Sequence, residues 1–297
     1  MRSERSDLVA SRGTRLGGRR WKVTDVAIVA ALVLACIVFA FPIFMVISVS
    51  FKAPIDIMAT PPRWVSPPTF ENYAALLGWR TSEFQFDLWL HFRNSVLAAS
   101  GATLLSVLLG TPAAYAFARQ RFRGSQPTLL FLLAVRMLPP IATVIPLFLI
   151  MRQLRLIDSI TGLVIAYTTF NLPFIVWIMR SFFLDLPGEL EEASFIDGAT
   201  RWQAFRLVIL PLSVPGIVAS AIFGLMLAWN DFLFAIILTS RNAPTLPIMT
   251  AGFVTDQGVS WGIMMAAGTV IILPVLLFTL LVQRYLVSGL TAGALKG

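Results

Sequence analysis

Several long stretches of the chain hold no charged residue, and they constrain the fold more than any other feature. Residues 207–230 and 258–283 are uncharged from end to end. A membrane-spanning helix needs about 20 mostly apolar residues. Over all 297 residues, 57% are hydrophobic and only 13% are charged, against about 25% charged in a soluble domain. The sequence is therefore that of an all-α integral membrane protein.

Six segments meet the length requirement for a span. They are residues 24–50, 94–118, 127–150, 161–183, 207–240 and 259–283. We expect residues 24–285 to form one transmembrane domain of six helices. Residues 1–23 then form a basic cytoplasmic tail, and 286–297 form a cytoplasmic C-terminal tail.

The distribution of Lys and Arg predicts the orientation. If the N-terminus is cytoplasmic, 15 of the 23 basic residues lie on the cytoplasmic side, 7 lie outside and Arg136 lies in a span. Lys and Arg concentrate on the cytoplasmic side of membrane proteins, so both termini are expected there. Much of the net charge of +8 comes from basic residues in the tail before the first span. Contact with anionic lipid explains that charge better than nucleic acid does.

Cysteine and histidine are nearly absent. The chain has one of each, Cys36 and His91. One cysteine allows neither an internal disulfide nor a cysteine metal site. We therefore predict no metal site and no catalytic residues.

A charged segment, residues 185–211, stands out between apolar runs and carries the signals of two short helices. Three glutamates lie near the first helix N-terminus, where the helix dipole favours negative charge. Asp197-Gly198 is a turn signal, and Thr200 with Gln203 forms a capping box for the second helix. Helices this short are marginal alone, so something must pack on them. The segment either docks a partner or lies on the lipid surface as an amphipathic hairpin.

The same residues carry a family likeness. LEEASFIDGATRWQAFRLVILP resembles the cytoplasmic EAA loop of ABC importer permeases, whose pattern is E-A-A, three residues, G, and later I-x-L-P. The chain departs from it with serine at the third position. FENYAALL, FRNSV, AYAFARQRFRG, AWNDFLFAIILT and GLTAGALKG resemble the maltose-type sugar permeases. The resemblance assigns the ATPase-coupling loop to Glu191, Glu192, Ala193, Ser194, Asp197, Gly198 and Ala199. Glu192 could meet a cation on the ATPase or cap its own helix.

The resemblance implies a type I ABC importer permease fold, with coupling helices between spans 4 and 5. It also implies alternating access in a prokaryotic inner membrane, import of a sugar or polyol, and several partners. These are a second permease subunit, two cytoplasmic ATPase subunits, an extracytoplasmic substrate-binding protein and the lipid bilayer. The sequence lacks a G-x-x-x-x-G-K-[ST] phosphate loop, so ATP and Mg²⁺ are expected on the ATPase subunits.

Polar residues inside the predicted spans are candidates for the translocation path. An arginine at a helix centre costs about 2.5–3.5 kcal/mol on insertion scales, so Arg136 faces a cavity or partner, or pairs with a carboxylate. Prolines 139, 140 and 146 break its span. Asn171, Asn230 and Asp231 interrupt the fourth and fifth spans. They either bind substrate or link helices by hydrogen bonds.

Two other classes of protein fit less well. A secondary transporter or channel also uses broken helices and buried charges, but it needs no ATPase partner. A polytopic membrane enzyme is weaker still, because the chain offers little catalytic chemistry.

The orientation is tested by cysteine labelling in a Cys36-free background. A cysteine at position 80 should react with an impermeant reagent from outside only, and one at position 123 from the cytoplasm only. Labelling of position 80 from the cytoplasm alone would contradict the predicted topology.

Overall fold

The computed structural model describes residues 23–79, 87–120, 122–256 and 258–294, and at residue 282 and from residue 284 onward only the backbone. The predicted basic tail up to residue 22, together with Arg80 and the last three residues, lies outside the described residues. Residues up to Met45 form one unit, and Val46–Gly297 form a second. The first unit holds most of helix α1 (Val23–Ser50), whose 28 residues include Asp25 in the first turn.

Most of the described residues of the second unit are helical. Its helices are α2 (Pro54–Ile57), α3 (Glu71–Leu76), α4 (Leu88–Arg119), α5 (Ser125–Met137), α6 (Pro140–Gln153), α7 (Ile160–Asp185), α8 (Glu189–Ile196), α9 (Arg201–Ala204), α10 (Leu210–Leu212), α11 (Val214–Trp229), α12 (Leu233–Leu238), α13 (Leu246–Ala251) and α14 (Trp261–Ala294). A π-helical segment, Phe205–Ile209, joins α9 to α10. Strands β1 (Val254–Thr255) and β2 (Gly258–Val259) pair antiparallel, a small exception to the predicted all-α fold.

Four described helices are long and apolar enough to cross a membrane, namely α1, α4, α7 and the part of α14 up to Leu281. Two bent pairs raise this number to six if each pair is one span. The pair α5 and α6 bends by 100° between Met137 and Pro140. Proline at positions 139 and 140 explains the break, because proline lacks the N–H that continues a helix. The predicted count of six spans thus fits the helices.

The predicted fifth span, 207–240, is wrong as one continuous helix. Residues 201–212 are bent by 72° from α11, which ends at Trp229. Pro211 and Pro215 flank the bend. Beyond Asn230, α12 is a separate helix of six residues. Helix α14, which contains the sixth predicted span, continues to Ala294 and therefore includes most of the predicted C-terminal tail.

Helices α4 and α7 form the most extensive helix pair, and α11 packs on both. Small residues line this packing, among them Ala98 and Ala102 of α4 and Ala166 of α7, all without exposed surface. Small side chains let helix backbones approach closely within a membrane. Two clusters of buried side chains result. One lies around Leu163, and the other, around Phe183, includes the π-helical segment.

One carboxylate fastens two distant loops. Asp158, between α6 and α7, adopts the left-handed conformation with φ +55°. Its two oxygens accept hydrogen bonds from the backbone N–H groups of residues 240–243 at 2.8 to 3.1 Å. The Asp158 N–H donates to the carbonyl of Leu238 at 2.8 Å. The same loop is also held by α4, because the Asn94 side-chain amide donates to the carbonyls of Asn242 and Pro244.

Hydrogen bonding holds Asp158 ionised. Its burial acts to raise the carboxyl pKa, but the backbone N–H groups of Ser240, Asn242, Arg241 and Ala243 oppose this and leave the pKa below its ordinary value. Donors aimed at a carboxylate favour its charged form. Because the pKa is depressed in the folded protein, Asp158 stabilises the fold fully above its ordinary pKa, and this contribution is lost as the pH falls through the folded value.

We expect Asp158→Asn to lower the free energy of unfolding by about 1–3 kcal/mol near neutral pH, because several N–H donors lose a charged acceptor. The difference from wild type should shrink as the pH falls below about 4. Thermal unfolding of the purified protein across this pH range checks both statements. The matched control is Asp185→Asn, which alters an exposed carboxylate. Equal unfolding temperatures for Asp158→Asn and wild type near neutral pH would contradict the account.

Candidate functional site

The charged segment 185–211 folds as the two short helices predicted from its sequence. Helix α8 begins at Glu189, with Glu189, Glu191 and Glu192 in its first turn. Pro187 precedes this helix, and Gly188 is its N-cap residue. The predicted capping box is present, with Gln203 N–H donating to Thr200 Oγ1 at 3.3 Å and Thr200 N–H donating to Gln203 Oε1 at 2.8 Å.

Gly198 forms the turn between α8 and α9. Its φ is +85°, a conformation that L side chains rarely adopt. The Gly198 N–H donates to the carbonyl of Phe195, and the Ala199 N–H donates to that of Ser194, both at 3.0 Å. These bonds satisfy carbonyls at the end of α8. A Cβ on Gly198 would meet no atom within 4 Å, so the backbone angle alone requires glycine there.

The second helix is anchored by aromatic packing. Phe205 and Ile209 are buried, at 4% and 0% exposure. The ring of Phe205 lies 4.7 Å from that of Tyr115, which in turn lies 5.8 Å from Phe183. Phe205 and Ile209 therefore enter the core, whereas Trp202 in the same part of the segment stays 64% exposed.

Most of the predicted coupling residues lie on the outer face of this segment. Glu192, Ala193, Asp197 and Gly198 are exposed, and Ala199 is half-buried. Ile196 beside them is 87% exposed. Trp202 on α9 is exposed as well, so the two short helices present apolar and acidic side chains on their surface. We call this exposed surface, made of Glu192, Ala193, Ile196, Asp197 and Trp202, the coupling face.

Ser194 and Glu191 point inward instead. Both are buried, and Ser194 Oγ donates to the carbonyl of Glu191 at 2.7 Å. Glu191 Oε1 accepts a hydrogen bond from the Tyr115 hydroxyl. Its Oε2 lies 3.4 Å from Arg119 Nε, an ion-pair distance. Sequence reasoning placed Glu191 with the coupling loop and missed Tyr115 and Arg119. The available signal was their four-residue spacing within AYAFARQRFRG, which puts both on one face of α4.

Four residues were predicted as candidates for the translocation path. Three of them make hydrogen bonds within the chain, and the fourth, Arg136, is exposed. Asn171 is buried, and its amide donates to the carbonyl of Gly224 at 2.9 Å, linking α7 to α11. Asn230 donates to Met226 in the turn before it. Asp231 accepts from the N–H groups of Phe234 and Ala235 and so caps α12.

Arg136 lies in the last turn of α5, next to the break before α6, and is exposed. Its guanidinium lies 5.6 Å from the centre of the Phe174 ring, a cation–π distance. Among the described residues, His, Cys, Asp and Glu form no group of three or more that could hold a metal ion.

Comparison with known proteins identifies the family. Residues 106–292 match the family described as binding-protein-dependent transport system inner membrane component. The chain is 37% identical over 289 residues to the trehalose transport system permease protein SugB of Mycobacterium tuberculosis, covering 95% of this chain and 100% of that protein. It is 34% identical over 285 residues to the diacetylchitobiose uptake system permease protein DasC of Streptomyces coelicolor, covering 95% and 99%.

A solved structure shares the fold. A chain in the crystal structure of a bacterial ABC transporter involved in the import of the acidic polysaccharide alginate superposes with a TM-score of 0.71 at 22% identity, covering 89% of this chain and 98% of that chain. The chain belongs to the family of inner membrane components of binding-protein-dependent transport systems. The resemblance stated from its motifs is confirmed.

We expect Gly198→Val to uncouple transport from ATP hydrolysis, because a β-branched residue at positive φ costs about 1–3 kcal/mol and displaces α8 from α9. The variant should insert normally. Association with the ATPase, or stimulation of hydrolysis by the loaded binding protein, should fall in the reconstituted complex. Gly78→Val is the matched control, because Gly78 has φ +72° and open space around its Cβ but lies far along the chain from the segment. Wild-type association, stimulation and uptake in Gly198→Val would show that the segment is not the coupling element.

We expect Arg136→Leu to leave insertion intact and to reduce uptake, because an exposed cation in a membrane segment must face water or a partner. Arg136→Lys, which keeps the charge, should retain more activity than Arg136→Leu. Uptake by reconstituted vesicles checks both variants. Uptake at the wild-type rate in Arg136→Leu would mean that the charge has no part in transport.

Proposed function

We propose that this chain is the permease subunit of an ATP-driven importer that takes up a sugar or a related polyol by alternating access. The observation that carries the proposal is similarity along nearly the whole chain to permeases named for disaccharide uptake. One more such relative is the trehalose/maltose transport system permease protein MalG of Thermococcus litoralis, 35% identical over 280 residues, covering 92% of this chain and 97% of that protein.

The partners follow from what this chain lacks and from what it exposes. It carries no phosphate-binding loop, so ATP and Mg²⁺ are assigned to two cytoplasmic ATPase subunits. The coupling face supports the assignment, because it leaves Ile196 and Trp202 exposed on two short helices that need a partner surface. A second permease subunit completes the path across the membrane, and an extracytoplasmic binding protein delivers the substrate.

The local structure supports a mechanical route from this face to the membrane. Helix α9 passes without a loop through the π-helical segment into α10, and α11 begins at Val214. A displacement of the coupling face therefore reaches α11 through continuous helical backbone and one bend. We assign both termini to the cytoplasm of a prokaryotic cell, as the Lys and Arg distribution indicates.

Arg136 is the strongest candidate for the path among the four polar residues. Asn171, Asn230 and Asp231 each have a hydrogen bond within the chain that explains their presence. The exposed guanidinium of Arg136 has only its contact with Phe174 among the interactions described for it. The hydrogen bonds of Asn171 and Asp231 leave other lone pairs available, so these residues stay secondary candidates.

The proposal is tested in liposomes that contain this chain with its cognate permease, ATPase and binding protein. Radiolabelled trehalose, maltose and diacetylchitobiose form the probe panel. We expect at least one of these disaccharides to be taken up. Uptake should require ATP on the side of the membrane where the ATPase is bound. It should stop when either the binding protein or the ATPase is omitted. Uptake that persists without the ATPase and collapses with an ionophore would support a secondary transporter instead.

A further inference from the structure

A buried carboxylate ties the coupling segment directly to the longest fully described helix of the core. Glu191 is only 8% exposed. Its Oε1 accepts from Tyr115, and its Oε2 lies 3.4 Å from Arg119 Nε. Both residues lie near the C-terminal end of α4, where Tyr115 is buried and Arg119 is half-buried. The two residues thus hold both oxygens of one side chain on α8.

Further contacts hold the end of α4 to the coupling segment. Arg119 Nη2 donates to the carbonyl of Leu186, just after α7 and before α8, at 2.7 Å. The Tyr115 ring also packs against Phe205 of the π-helical segment at 4.7 Å. Tyr115 and Arg119 therefore contact both halves of the coupling segment and the chain leading into it. A shift of α8 cannot occur independently of the end of α4 while these contacts hold.

The neighbouring glutamate has the opposite environment. Glu192 is exposed on the coupling face, whereas Glu191, one residue earlier, is turned about 100° around the helix axis into the protein. A buried carboxylate that loses its partners is strongly unfavourable, so Glu191 is committed to α4 and unavailable to an ATPase. The two glutamates therefore have separable roles, one inside the permease and one on its surface.

We propose that Glu191, with Tyr115 and Arg119, is a positioning unit that transmits the displacement of α8 to α4, in addition to the route through α9 and α11. The proposal rests on the proposed function, because it describes how the coupling segment acts within the permease. Glu191 contributes to transmission and not to ATPase docking. Tyr115 shares that role through its hydroxyl, whereas its ring packs in the core.

The test compares Glu191→Ala with Glu192→Ala in the complete reconstituted transporter. Three quantities are measured: the amount of ATPase bound, the rate of ATP hydrolysis and the rate of disaccharide uptake. The disaccharide is the one among trehalose, maltose and diacetylchitobiose that the wild-type transporter takes up. We expect Glu191→Ala to bind the ATPase as wild type does but to lower the ratio of uptake to hydrolysis about tenfold, as the loss of a hydrogen bond to a charged group implies. Glu192→Ala should weaken ATPase binding and leave that ratio unchanged in assembled complexes.

Tyr115→Phe provides an independent variant, because it removes only the hydroxyl and keeps the ring packing. It should lower the ratio in the same direction, and the double variant should be no worse than Glu191→Ala alone, since both act through one contact. If Glu191→Ala does not fold and insert into the membrane, Tyr115→Phe decides the matter.

Two results would overturn the inference. One is a wild-type ratio of uptake to hydrolysis in assembled Glu191→Ala and Tyr115→Phe complexes. The other is a loss of ATPase binding in Glu191→Ala as large as that in Glu192→Ala, which would make Glu191 a docking residue. A wild-type complex without ATP-dependent uptake would contradict the proposed function itself, which is a distinct outcome.

Discussion

The close packing of α4 against α7 is the interaction on which the rest of the second unit depends. A Cβ added at Gly101 would lie 2.9 Å from Val164 Cγ2, and one added at Gly110 would lie 3.0 Å from Ile175 Cγ2. In lipid, helices gain little from hydrophobic burial, so van der Waals packing and interhelical hydrogen bonds hold them together. Small residues allow such contact along α4 and give α11 a surface on which to pack.

Helix α4 in turn holds a loop near each of its ends. Near its start, Asn94 donates to the carbonyls of Asn242 and Pro244, and Ser95 Oγ accepts from the Leu246 N–H. Near its other end, Tyr115 and Arg119 hold α8 through Glu191. One helix therefore contacts the loop that Asp158 clamps and the segment that carries the coupling face. Helix α4 is long and apolar enough to cross a membrane, so these two sets of contacts lie near opposite ends of a candidate span.

Short sequence patterns predicted the structural features that depend on residues close together in the chain. Run lengths located the spans, Thr200 and Gln203 located a helix start, and Gly198 located a turn. The sequence did not predict that Glu191 faces inward, because its partner Tyr115 lies 76 residues away and only packing brings them together. The clamp at Asp158 escaped prediction for the same reason. The broken fifth span was missed because apolar composition records length but not the bend that Pro211 and Pro215 flank.

The central claim is that the coupling face meets a cytoplasmic ATPase, and site-specific photo-crosslinking in the assembled transporter tests it most directly. A photoreactive side chain is placed at Ile196, which is 87% exposed, and in a second protein at Val65, which is 93% exposed in the connection between α2 and α3. The account predicts a crosslink to the ATPase subunit from position 196 and none from position 65. A crosslink to the ATPase from position 65, or none from position 196 in an assembled and active complex, would contradict it.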